Sequence, residues 1–525
     1  MKLQIIKNCL LKKQIDAIII TSQDEFNSEY VPQEKSILYH TTGFEGSNGV
    51  AIVSNKKSYF LTDGRYLTEA HKTLATHFEI LELSQQNIVK IIKLFTSICF
   101  VEEVLTIKQF QDFSQYTKLE QISQYEIFAL LQIDYQISKN HYYFNSGEEV
   151  NIKIDKVVSK LPPNIDYLLI SDPISVCWLL NIRENQKYNG VCNIFAILSK
   201  NGEIKTFYNA NEIYLQNKSI LINTQQVSYQ TYQLLAQKEN KLIETNFDII
   251  AVLKSQKNQF EIASFINCHK KDAIAVCNAI QIIKNKVLNN EQITEYDCCE
   301  IFLNERKKQI DFISESFHTI AGFGENGSIV HYKPKLNLCS TIEKNNLLLI
   351  DSGGNYKDGT TDATRTIIVG EPTKEMILHY TLVLKAHIAL ANFTFPNYVK
   401  ANQLDAIARQ ILWQNGLDYK HGTSHGVGFY LSVHEYPSIS PNANYALLPN
   451  QIISIEPGFY LEGKYGIRLE NLYLIVQNEE TKMMSFKPLT LVPFELELID
   501  KKMLSKEENQ WLETYHTECA ELLSA

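Results

Sequence analysis

NNLLLIDSGGNYKDGTTDATRTIIVG, residues 345–370, reads as strand, loop and strand, with an acidic residue at each inner strand end. The apolar run Leu347–Ile350 delivers Asp351 to the end of the first strand, and Ser352-Gly353-Gly354 follow it. Asp362 comes eleven residues later, just before the β-branched run of RTIIVG. A carboxylate at a strand end is well fixed, and glycine beside it lets backbone and ligand approach closely. Taken alone, Asp351 is equally well read as a turn residue.

The same signature recurs downstream. HGTSHGVG, 421–428, is a glycine-rich loop with His421 and His425 four apart. QIISIEPG, 451–458, is a second apolar strand that ends on Glu456 and is stopped by proline and glycine. In GIRLEN, 466–471, alternation puts Arg468 and Glu470 on one face. A lone strand glutamate is usually solvated and a lone histidine usually structural, but the combination reads otherwise. Asp351, Asp362, His425, Glu456 and Glu470 are the oxygen and imidazole donors that hard or borderline divalent cations take. Four carboxylates crowd together only when cations neutralise them, and two divalent ions balance that charge.

Further out, residues 1–140 alternate helix-like and strand-like patterns. AIII at 17–20, GVAIV at 49–53 and SYFL at 58–61 read as strands, and 87–97 carries a helical period. The N-terminus is an amphipathic helix leading into a strand over 16–20. A similar pattern occupies 141–256, with a helix at KIDKVVSKL and strands at 166–171 and 191–198. It closes near the polar stretch Lys254–Lys257. From 257 to 525 a long helix, whose apolar face runs from Ile262 to Val287, precedes the acidic strand ends, and an amphipathic helix over 505–523 closes the chain. Successive α/β patterns predict two α/β domains ahead of a third.

The 525 residues are too many for one ordinary core, and 45% apolar with 21% charged is a globular composition. A net charge of -9 offers no cationic field to a phosphate backbone, so nucleic acid is not expected as a partner. No long uncharged apolar run predicts a membrane span, and lysines 2, 7, 12 and 13 interrupt any signal-peptide core. Ten cysteines without a CxxC pair suit reduced thiols in a cytoplasmic protein. Gly322-Phe-Gly324-Glu-Asn-Gly327 fits GxGxxG, but strand-like SIVHY follows where a dinucleotide site needs a helix. His434-Glu435 lacks the second histidine of HExxH.

The order Asp, Asp, His, Glu, Glu, with these flanks, resembles the pita-bread metallopeptidases of family M24. The most similar type is the three-domain, cytosolic Xaa-Pro aminopeptidase (aminopeptidase P). TGFEGSNGVAIV, TDGRYLTEA, ISDPISVCWLLNIR, GENGSIVHY, HGTSHGVGFYLSVHE, EPGFY and FKPLTLVPFELELID carry the likeness along nearly the whole chain. It implies two creatinase-like α/β domains, 1–140 and 141–256, and a pita-bread catalytic domain over 257–525. It implies that Asp351 binds one ion, that His425 and Glu456 bind the other, and that Asp362 and Glu470 bridge them, with manganese the usual metal. Such a pair can activate water and polarise an amide carbonyl. Glu456 would be the general base. His331 would serve the scissile bond, His421 the proline subsite, and His434 the charge developing on the carbonyl oxygen. Tyr460 and Arg468 would steady Asp351. Ser424 departs from the family's usual glycine.

The implied activity is removal of an N-terminal residue that precedes proline in a peptide, by a homodimer. The alternatives are a prolidase, restricted to Xaa-Pro dipeptides, and a pita-bread binding module without catalysis. Five intact ligands speak against the latter.

Overall fold

The run AIIIT, Ala17–Thr21, is buried along its whole length because it lies at the centre of a six-stranded sheet. It pairs antiparallel with Gly49–Ser54 and parallel with Ser97–Val101, and its two faces enter separate apolar clusters, Ile18 and Ile20 one and Ala17 and Ile19 the other, so neither face needs polar residues. The outer strands are Tyr59–Thr62, Glu79–Glu82 and Lys118–Ile122. In this computed structural model, which describes residues 2–524, the helical period expected over 87–97 is shorter than its pattern. The helix is Gln85–Ile92, with the Ser84 side chain accepting from the Asn87 amide, and Ser97–Val101 is a strand. β-Branched and aromatic residues at 98, 100 and 101 win that segment for the sheet.

A second sheet of five strands runs Ile204–Phe207, Phe195–Ser199, Tyr167–Ile170, Ser219–Asn223 and Lys241–Thr245. Both sheets belong to one compact unit, made of Met1–Asn140, Val150–Leu180 and Cys192–Ile250. The other unit consists of Ala251–Ala525 together with two excursions, His141–Glu149 and Asn181–Val191.

The second unit opens on the helix Gln259–Leu288, which starts at a reciprocal capping box between Asn258 and Glu261. Its buried face includes Phe265, Val276 and Ile283, each contributing about 1.5–3 kcal/mol by leaving water. Behind it Ile320–Phe323, Leu347–Ser352 and Ala363–Ile368 form an antiparallel sheet. A six-stranded sheet follows, in the order Phe395–Pro396, Met483–Pro488, Asn471–Gln477, Ile452–Ile455, Ser424–Gly426 and Glu435–Ile439. Helices Lys374–Ala391 and Lys506–Ser524 share an apolar core that includes Val383, Ile467, Leu469, Phe494 and Leu512. Among the described residues no helix is long and apolar enough to cross a membrane.

Three local expectations need correcting. SIVHY is not a strand: Gly324–Ser328 is a 3-10 turn and the chain continues as a loop, because Gly324 turns at φ +52°. The polar stretch Lys254–Lys257 is more than a boundary, since the ammonium groups of Lys254 and Lys257 are buried on the Glu435 carboxylate. In GIRLEN the strand stops at Arg468, and Glu470 falls between strands.

Candidate metal centre

Each of the five expected ligands is set by an element end. Asp351 faces Thr364 across the antiparallel pair, and Ser352 faces Ala363, which places Asp362 beside the end of the neighbouring strand. The turn between them requires glycine at 353, where a Cβ would lie 2.0 Å from the Thr361 carbonyl. Ile455 pairs with Asn471, which brings the following Glu456 and the preceding Glu470 together. The Glu456 amide donates to the Thr423 carbonyl at 3.0 Å, and the Glu470 amide to the Thr364 carbonyl at 3.1 Å. His425 is on Ser424–Gly426, its amide donating to Ser454 Oγ at 2.9 Å.

The side chains converge. His425 Nε2 is 3.4 Å from Asp362 Oδ2, 3.5 Å from Glu456 Oε1 and 3.8 Å from Glu470 Oε1. One ligand atom from each of Asp362, His425 and Glu470 lies within 4.8 Å of the others. Asp351 joins through Arg468, whose Nη2 donates to Asp351 Oδ2 at 2.6 Å.

Burial pushes the Asp362 carboxyl up to about 6, helped by the Asp351 and Glu456 charges and opposed by His425. Burial raises Glu470 well above the carboxylate range, reinforced by Asp362, Glu456 and Asp351. Burial disfavours the His425 imidazolium, but the hydrogen bond to Asp362 and the Glu456 and Asp362 charges outweigh it and hold His425 up at about 9. These are the marks of a carboxylate cluster short of positive charge. Asp351 Oδ1 and Asp362 Oδ1 are buried without a hydrogen-bond partner among the described residues. Buried carboxylate oxygens are seldom left so, and a pair of divalent cations fits these donors.

The other expected residues border the cluster. The His434 ring lies edge-on to His425, with centroids 4.4 Å apart. His421 Nδ1 donates to the Gly422 carbonyl at 2.8 Å, so Nε2 accepts from the Tyr460 hydroxyl, also at 2.8 Å. Arg468 Nη1 donates to that hydroxyl at 2.7 Å. Arg468 therefore touches Asp351 directly, whereas Tyr460 reaches it through Arg468. His331 is half-buried on the loop after the 3-10 turn, and the carbonyl before it, Val330, accepts from Arg468 Nη1 at 3.3 Å. Ser424 is buried, and its hydroxyl has no hydrogen-bond partner among the described residues.

Sequence reasoning passed over the hydroxyls that aim these groups. Thr364 Oγ1 donates to Glu470 Oε2 at 2.8 Å and accepts from Arg468 Nε at 3.1 Å. Ser454 Oγ donates to Glu456 Oε1 at 3.2 Å. Each lies two residues from a candidate ligand, so the alternation that paired Arg468 with Glu470 could have found both. Arg365, which donates to the Glu470 carbonyl at 2.7 Å, carried no such signal.

The comparisons agree with this geometry. The model of metallopeptidase family M24 matches residues 264–477, that of the C-terminal region of peptidase M24 matches 482–525, and that of the creatinase/prolidase N-terminal domain matches 2–127. A probable Xaa-Pro aminopeptidase P of Pyricularia oryzae is 30% identical over 97% of this chain and 94% of its own length. Xaa-Pro aminopeptidase 1 of Dictyostelium discoideum is 29% identical over 99% of this chain and 92% of its own. The crystal structure of an X-prolyl aminopeptidase from Caenorhabditis elegans, described as a cytosolic enzyme with a di-nuclear active site, superposes with a TM-score of 0.92. It is 26% identical and covers 100% of this chain and 95% of that one. Fold and matches together define a metal-dependent hydrolase with a creatinase-type N-terminal domain. The chain belongs to metallopeptidase family M24, with full-length relatives named Xaa-Pro aminopeptidase P.

Proposed function

We propose that this chain is a dinuclear metal-dependent aminopeptidase that hydrolyses the bond between an N-terminal residue and a following proline. The observation that carries the reading is the convergence of four carboxylates and His425, with two buried carboxylate oxygens unpartnered among the described residues. Asp351 would hold one ion and His425 and Glu456 the other, with Asp362 and Glu470 shared between them. Manganese suits this oxygen-rich donor set. When bound, the ions supply Lewis acidity toward the scissile carbonyl and lower the pKa of water.

The chain's own residues do the rest. Glu456, aimed by Ser454, accepts the proton of the attacking water. His434, stacked edge-on against His425, donates to the oxygen on which charge develops. His421, fixed through Tyr460, borders the proline ring, and His331 contacts the substrate at the scissile bond. A prolyl nitrogen carries no hydrogen, so the site needs no acceptor for one.

We read the chain as three bodies, 1–140, 141–256 and 257–525, each with its own sheets. We further read it as cytoplasmic, since the Caenorhabditis elegans neighbour is described as a cytosolic enzyme, and as a homodimer on the family resemblance of its sequence. The test is hydrolysis of Arg-Pro-Pro, Arg-Ala-Ala and Ala-Pro with added manganese. Release of arginine from Arg-Pro-Pro alone, lost on chelation, is expected. Cleavage confined to Ala-Pro would make the protein a prolidase, and no cleavage despite bound metal would make it a binding module.

A further inference from the structure

The 3-10 turn Gly324–Ser328 and the loop after it carry His331, and irregular backbone of this kind holds a side chain still only if something else ties it down. Two groups do so. On one side, Arg468 donates to the carbonyl of Val330. On the other, everything runs through Glu295, the first residue of the helix Glu295–Lys307, which is 0% exposed.

The Glu295 carboxylate has no ion-pair partner among the described residues, and hydrogen bonds satisfy it instead. Oε1 accepts from the Phe323 amide at 2.7 Å and from Asn326 Nδ2 at 3.0 Å. Oε2 accepts from the Tyr332 hydroxyl at 2.7 Å, from the Ser340 amide at 2.8 Å and from Asn326 Nδ2 at 3.1 Å. The Glu295 amide returns a bond to the Ser340 carbonyl at 3.0 Å. These partners stand at the start of the turn (323), within it (326), next to His331 (332) and at the far end of the loop (340). The carboxylate also sits at a helix N-terminus, which favours negative charge. Fully buried carboxylates are costly, and one spent wholly on donors of a single loop marks that loop's geometry as what the arrangement secures.

We propose that Glu295 is a positioning residue for the reaction: through Tyr332, Asn326 and Ser340 it fixes the loop so that His331 faces the scissile bond. This rests on the aminopeptidase reading and adds to it a residue some 36 positions before His331 in the chain. Glu295→Gln keeps the shape but turns one acceptor oxygen into an NH2 group, and on either side that group meets a backbone N–H, of Phe323 or of Ser340, that it cannot satisfy.

The experiment is hydrolysis of Arg-Pro-Pro by the manganese-loaded wild type, Glu295→Gln, His331→Ala and the double variant. Enzyme is used in excess so that slow variants stay measurable, and bound metal and Tm are recorded for each. Glu295→Gln is expected to lose activity by roughly 10²-fold, the scale of an ångström's misplacement, with bound metal unchanged. On the His331→Ala background the same substitution is expected to cost less than about twofold, because the group it positions is gone. Tyr332→Phe removes one of the donors and is expected to give a smaller loss with the same dependence on His331, and it takes over the test if Glu295→Gln does not fold. Equal losses with and without His331, or no loss at all, would overturn the proposal. A wild type inactive on Arg-Pro-Pro would defeat the aminopeptidase reading itself, and would show before any variant is compared.

Discussion

Two buried charge clusters in the second unit differ in how their charge is closed. Glu435 is held by Lys257 at 2.5 Å and Lys254 at 3.0 Å, with all three side chains 4% exposed or less. Burial pushes its carboxyl up, but the two ammonium charges outweigh it and bring Glu435 below the usual carboxylate range. The cluster of Asp351, Asp362, Glu456 and Glu470 has Arg468 at its edge and His425 within it, and there Asp362 and Glu470 are driven upward. The side chains of Glu435, Asp362 and Glu470 are all buried, yet the first is shifted down beside its own ammonium counter-charges while the other two are shifted up among like charges. The two clusters are neighbours in the chain, since Glu435 directly follows His434, whose ring lies edge-on to His425. Charge balance rather than burial thus separates a self-neutralised ion cluster from one that suits added cations.

The comparison breaks most visibly at Asp362. Asp362→Ala should remove a carboxylate that we propose both ions share, and cut activity by roughly 10³-fold or more, because metal-based polarisation is worth several kcal/mol. Near-normal turnover with two metals bound would contradict the ligand assignment. Glu435→Gln should instead leave metal content intact and act on stability. It strands two buried lysines, at a cost of about 3–5 kcal/mol in a urea titration. Since the folded pKa of Glu435 is depressed, its contribution is present above its unfolded value of 4.5 and is lost as pH falls below that. Tm measured against pH should therefore fall less steeply on the acid side in Glu435→Gln than in the wild type. The smallest effect is expected at Ser424. Its buried hydroxyl has no partner among the described residues, so Ser424→Ala should stabilise the protein by about 1 kcal/mol, read in the same titration.

Four of the five candidate ligands could be picked out because each ends a strand, flanks one or sits in a glycine loop, and Glu470 by alternation with Arg468; the structure gathers Asp362, Glu456 and Glu470 around His425 and ties Asp351 to Arg468. The central strands of the first sheet were legible for a related reason, since continuous apolar runs such as AIIIT leave no other placement. What escaped was written in long-range pairing. Lys254 and Lys257 look like a polar boundary until Glu435, nearly 180 residues away, is placed on them. SIVHY has strand composition, but Gly324 and the hub at Glu295 turn it into a loop. Glu295 itself sits in TEYDCCE, which reads only as a capped helix start. Tyr460 and Arg468 were legible as neighbours of the ligands, while the order of their bonds, with Arg468 between Tyr460 and Asp351, was not.

The most direct measurement is metal stoichiometry, by titrating manganese into the metal-free wild type and the Asp362→Ala and Glu435→Gln variants. Two ions per chain in the wild type and in Glu435→Gln, with at least one lost in Asp362→Ala, is the result this account predicts. Two ions retained by Asp362→Ala, or none bound by the wild type, would contradict it.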